Sequence, residues 1–172
     1  MSSVTLQEAK DGLSSVGMWM DLRYNSGGFV GKPIQTWDML AKEREFFTVY
    51  AMNLVLESDG FDSLVGQEPQ DVEAFIGLLR HLGAKKTSDF VQSTLATLRS
   101  KAPCDEDGCT SKYYEFFESE QVWLKLLDHL GRRIYMGYVT RAEAIHAAGQ
   151  NVFDAKQWRG DLPYIRWWEI WK

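Results

Sequence analysis

The sequence predicts an all-α fold, a compact single-domain helical bundle over residues 1–172. Three observations carry that expectation. Apolar residues recur with a helical period along most of the chain; Val72, Phe75, Ile76 and Leu79 fall at i, i+3, i+4 and i+7. Apolar residues make up 45% of the sequence and aromatics 13%, enough to fill a real core at this length. Strand signals are confined to residues 133–139, where a short strand or hairpin competes with a continuing helix. No repeat, linker or low-complexity tract divides the chain.

Each element has its own signal. Thr5 with Glu8 fits a capping box that opens a first helix toward Trp19 and Met20. Residues 25–28 (NSGG) and 31–33 (GKP) read as loop. Over residues 37–56, Leu40, Phe47, Tyr50, Ala51, Leu54 and Val55 form one apolar face of a long helix. Gly60 then supplies a positive φ that ends this helix, with Phe61 folding back as a hydrophobic contact. Ser58 or Asp59 caps a short turn that Leu64 and Val65 bury. Pro69 suits the first turn of the next helix, and Gly83 its end. A helix through Phe90, Val91, Leu95 and Leu98 follows, then an acidic turn over residues 102–108. Tyr113, Phe116, Phe117, Trp123, Leu124, Leu127 and Leu130 mark one further long helix, and Thr140 with Glu143 a second capping box. Tyr164, Trp167, Trp168 and Trp171 place an aromatic stripe on a terminal helix, a docked core face or a protein interface.

Residues 57–61 read Glu-Ser-Asp-Gly-Phe after a long helix, and Leu82-Gly83-Ala84 follows some twenty residues on, ahead of another helix. This pattern, over residues 37–98, resembles the Glu-x-Asn-Gly-Gly-Phe signature and later Gly-Ala step of a bacterial domain of unknown function. That family includes a small acidic DNA-mimic protein. Ser58 and Asp59 replace the family's Asn and first Gly, and Ser63 stands where Gln is usual. The resemblance implies a compact helical fold, homodimerisation and no established enzymatic activity. The structural motif it carries over is Gly60, Phe61, Gly83 and Ala84.

The net charge of −5 disfavours ordinary nucleic-acid binding. It is also unevenly spread. Glu57, Asp59, Asp62, Glu68, Asp71 and Glu73 lie in a stretch, residues 57–79, that holds no Lys or Arg. Residues 104–120 hold six acids, among them Asp105, Glu106 and Asp107, against Lys112 alone. Solvated helix faces account for such runs; so does an acidic surface that meets a basic partner.

Cys104 and Cys109 flank Asp-Glu-Asp-Gly, a spacing at the outer limit for zinc and too short for a calcium loop. His81, His129 and His146 are far apart in sequence, and no nucleophile–base set is visible. The expected protein is therefore non-catalytic, without metal or cofactor, and uses its acidic helical surface to engage a basic protein such as a DNA-binding regulator or a toxin. The alternative is a small enzyme or a metal- or redox-dependent protein built around Cys104, Cys109 and a histidine. The opening residues lack a basic start and an apolar run, and no stretch has the length of a membrane span, so a cytoplasmic protein is expected.

Overall fold

Helix α2 (Ala41–Val65) is the element on which the others pack: α1 (Leu6–Tyr24), α3 (Pro69–His81), α4 (Lys85–Arg99), α5 (Glu106–Ser119) and α6 (Val122–Leu130) all contact it. Helix α7 (Arg132–Ala147) lies against α1 and α6. The computed structural model of the chain describes residues 4–25 and 32–147. Among the described residues there are seven α-helices, a 3-10 turn at Ile34–Thr36 and no strand. No helix among them is long and apolar enough to cross a membrane. The loop residues 26–31 and the aromatic stripe of Tyr164, Trp167, Trp168 and Trp171 lie outside the described residues.

Local signals account for several helix ends. Thr5 Oγ1 accepts the Glu8 N–H at 3.2 Å while the Glu8 carboxylate accepts the Thr5 N–H at 2.8 Å, the reciprocal cap expected for α1. Pro69 stands in the first turn of α3. At its far end Gly83 takes φ 72, and the N–H groups of Gly83 and Ala84 return to the carbonyls of Arg80 and Leu79. These are the two bonds of a Schellman cap, and they bury Ala84 and Leu79 together.

Gly60 does what its position in the sequence demands, at φ 73 and ψ −168, and Phe61 is fully buried beyond it. The consequence is a kink inside α2 rather than an end to it, because the chain returns to helix at once and continues to Val65. No separate cap forms: the Ser58 hydroxyl donates back to the Leu54 carbonyl within α2. Leu64 is buried, but Val65 is exposed. Phe61 meets Phe90 of α4 and Tyr113 of α5 edge to face, each at 6.0 Å, so the kink steers the last turns of α2 under both helices.

Further expectations are corrected. The apolar face of α2 is wider than one stripe: Phe46, Val49, Met52 and Leu56 are buried, whereas Leu40 and Leu54 are exposed. The physical reason is that α2 is central, with helices on several sides. The single helix expected from Tyr113 to Leu130 is two, α5 and α6, broken where Gln121 turns left-handed at φ 53. The Glu120 side chain there leaves its own helix and receives the N–H groups of Lys86 and Thr87 at 3.0 and 2.8 Å, capping α4. Over residues 133–139, where a short strand or hairpin competed with a continuing helix, the helix prevails as part of α7. Ile134, Tyr135 and Tyr138 face the core at helical spacing, and Thr140 lies within the same helix, so no second capping box opens there.

Candidate functional site

The acidic residues singled out in the sequence divide into different roles once folded. Glu57, Asp59, Asp62, Glu68 and Glu73 are exposed. Asp71 is not: it is buried, and its two carboxylate oxygens accept the backbone N–H groups of Ile34 at 2.8 Å and Gln35 at 3.0 Å. Asp71 thus leaves the acidic surface and pins the 3-10 turn at Ile34–Thr36 onto α3. Replacing it with Ala strips a charged acceptor from two N–H groups, and we expect a cost of about 2–3 kcal/mol in chemical denaturation. An unchanged midpoint would contradict that role.

The kink at Gly60 brings the two acid-rich segments of the sequence together. The N-terminal part of α5 lies beside it, with Thr110 Oγ1 only 3.7 Å from where a side chain on Gly60 would begin. Asp105 caps α5 by accepting the Gly108 N–H at 3.1 Å, which accounts for one acid in that turn structurally. Glu106 is different. It is fully exposed, yet its carboxyl is raised from the ordinary carboxylate value, first by hydrogen bonding with Asp62 and then by the negative charges of Asp62 and Asp107. Among the described residues, no Lys, Arg or His forms an ion pair with Asp59, Asp62 or Glu106. Glu68 and Glu73 sit apart on α3, at its N-cap and on its exposed side.

The thiols Cys104 and Cys109 stand 3.0 Å apart as free, half-buried cysteines. Burial, then the neighbouring Cys104 thiol, push Cys109 up to about 11, so it is a neutral thiol near pH 7 and a poor nucleophile. Among the described residues, no group of three or more His, Cys, Asp and Glu side chains is placed to hold a metal ion. His129 is engaged elsewhere: its Nε2 stands 2.6 Å from Glu45, its Nδ1 lies 3.2 Å from the Lys42 ammonium, and its ring meets that of His81.

Sequence reasoning missed a buried polar cluster. Glu43, 2% exposed in the first turn of α2, accepts hydrogen bonds from the Tyr24 hydroxyl at 2.6 Å and the Tyr138 hydroxyl at 2.8 Å. Its carboxylate also receives the Leu40 N–H and lies 3.7 Å from the Arg23 guanidinium. Burial pushes both tyrosines well above their ordinary range, and Glu43 adds to it, so both stay protonated as donors. This cluster ties α1, α2 and α7 with every acceptor in use, and it reads as architecture. Glu43 stands one turn above an apolar stretch with nothing in the sequence to mark its partners.

No protein-family model matches the chain, no curated protein does, and no solved structure does.

Proposed function

We propose that this chain is a non-catalytic binding protein whose acidic helical surface, centred on Asp59, Asp62 and Glu106, engages a basic protein. The observation that supports this reading most is that the exposed carboxylates of Asp62 and Glu106 interact with each other while, among the described residues, no Lys, Arg or His forms an ion pair with either. Packing like charges against each other works against folding. A surface that must offer concentrated negative charge to a partner gives that arrangement a use. Kink and helix terminus hold the two carboxylates on rigid elements, so little entropy is lost in ordering them on binding. The resemblance of residues 57–61 to the acidic DNA-mimic family points the same way. A DNA-binding regulator or a nuclease toxin, both with clefts shaped for closely spaced phosphates, is the class of partner that fits.

The test follows from the sign of the Glu106 shift. A carboxyl raised in the folded state binds its proton more readily folded than unfolded, so it costs stability above the usual carboxylate range. That cost fades as pH falls through the raised value. Glu106→Gln should therefore melt no lower than the parent chain near pH 7, and any gain should close as the pH is lowered toward 4. The same substitution should weaken capture of a basic partner. A variant that melts lower at neutral pH would show Glu106 to be a stabilising residue and remove the main support for the proposal.

A further inference from the structure

The two cysteines at the start of α5 carry chemistry that the acidic surface does not use. Asp105 is the N-cap of α5, so Cys104 stands one residue before the cap and Cys109 at the fourth helical position. Side chains at those two positions meet across the first turn of a helix. Here they are thiols, and the meeting brings the Sγ atoms of two free cysteines to 3.0 Å. A disulfide holds its sulfurs at about 2.0 Å, so closure asks for a further approach of about 1 Å. Both thiols are partly exposed, so a small reagent can reach them from solvent. The turn between them is already fixed. Asp105 accepts the Gly108 N–H on its side chain at 3.1 Å and the Cys109 N–H on its carbonyl at 2.8 Å. Little conformational freedom is left to lose when the ring closes.

The two sulfurs are not equivalent. Cys109 lies within α5 beside Thr94 of α4, and burial, then Cys104, raise its thiol. Cys104 precedes the helix and meets an external reagent first. Its thiolate attacks one sulfur of a small disulfide RSSR; the reagent's S–S bond breaks, and RS⁻ leaves and takes up the proton that Cys104 gave up. Cys104 is then a mixed disulfide, and its thiol no longer holds Cys109 up. Cys109 attacks Cys104 Sγ from contact distance, the Cys104–SR bond breaks, and the second RS⁻ leaves with the Cys109 proton. Two cysteine thiols are oxidised to one internal disulfide, and one RSSR is reduced to two RSH. The surrounding charge selects the reagent. Asp105, Glu106 and Asp107 lie exposed between the cysteines, and Glu106 interacts with Asp62. Of the two nearest cations in sequence, Lys112 pairs with Glu115, which leaves Lys101 against four carboxylates. An anionic disulfide is repelled there and a cationic one attracted.

We propose that Cys104 and Cys109 form a reversible redox site that takes a small cationic disulfide as oxidant and, on closing, locks the start of α5 with Glu106 inside the ring. The site goes beyond the acidic-surface reading, and its test contains no partner protein, so either can fail without the other. The full reduced chain is mixed with cystamine at mildly alkaline pH, and the products are read by intact mass. The parent should lose two hydrogens per chain and regain them with dithiothreitol. Cys109→Ser should stop at the mixed disulfide on Cys104. With each rate divided by that of N-acetylcysteine amide, cystamine should outpace the anionic dithiodiglycolate about tenfold, and salt should shrink the ratio. In the closed form, amide hydrogen exchange over the first turn of α5 should slow about tenfold. A mixed disulfide that persists on the parent chain, no preference for the cationic reagent, or unchanged exchange in α5 would each overturn the assignment.

Discussion

Glu43→Ala is expected to be the most damaging single substitution in the described structure. It removes the acceptor for the Tyr24 and Tyr138 hydroxyls and the Leu40 N–H, and the anion beside Arg23. Removing one partner from a buried charged cluster costs about 3–5 kcal/mol, because the groups left behind stay desolvated without compensation. A domain has only about 5–15 kcal/mol of net stability to lose. At this chain length the loss corresponds to a fall in melting temperature of about 6–20 °C. Glu43→Gln keeps one acceptor oxygen and the shape of the side chain, so it should fall between the parent and the alanine variant. Thermal melts of all three by circular dichroism test the order. An alanine variant that melts with the parent would mean that the cluster contributes nothing to stability.

Gly60 carries the second large effect, and it comes from the backbone alone. At φ 73 and ψ −168 it occupies a region essentially closed to residues with a Cβ. A Cβ there would meet nothing closer than Thr110 Oγ1 at 3.7 Å, so space is not the obstacle. The expected cost of Gly60→Ala is about 1–3 kcal/mol, and Gly60→Val should cost more because branching at Cβ narrows the choice further. Gly77 provides the matched control. It lies exposed inside α3 with no atom within 4 Å of a built Cβ, so Gly77→Ala should stabilise the protein by about 0.5–1 kcal/mol. Opposite signs for the two glycines, measured by denaturant titration, are the expected result. Equal effects would show that Gly60 is not held at its positive φ. Because the kink seats Phe61 against α4 and α5, Gly60→Val should also disturb the meeting of Asp62 and Glu106.

What was legible in the sequence is what local chemistry decides. The cap at Thr5 and Glu8, Pro69 at a helix start, the positive φ of Gly60 and Gly83, and the burial of Phe61 all depend on residues within a few positions of each other. The all-α fold followed from the helical period, the apolar composition and the scarcity of strand signals. What escaped were side chains that spend themselves on distant partners. Asp71 looked like one more surface acid, yet it binds two N–H groups 36 and 37 residues away. Glu120 leaves α5 to cap α4 at the point where one expected helix became two. Glu43 and Asn53 are polar residues on a helix buried on several sides, a position that no amphipathic pattern announces. The interaction of Asp62 with Glu106 was hidden for the same reason, since the two stand 44 residues apart in sequence and meet only in the fold.

The central claim is that Asp59, Asp62 and Glu106 form a binding surface for a basic, DNA-binding protein. Asp71 is left out of its test, since reversing that buried charge would unfold the turn it holds. The most direct measurement immobilises the full chain and a variant with Asp59, Asp62 and Glu106 all changed to Lys. Both are exposed to extract from the native host, and duplex DNA is then added to the retained fraction. The account predicts that the parent chain retains a basic protein, that duplex DNA releases it, that added salt weakens retention, and that the variant retains none while melting close to the parent. Undiminished retention by the folded variant, or a retained partner that duplex DNA does not displace, would contradict it.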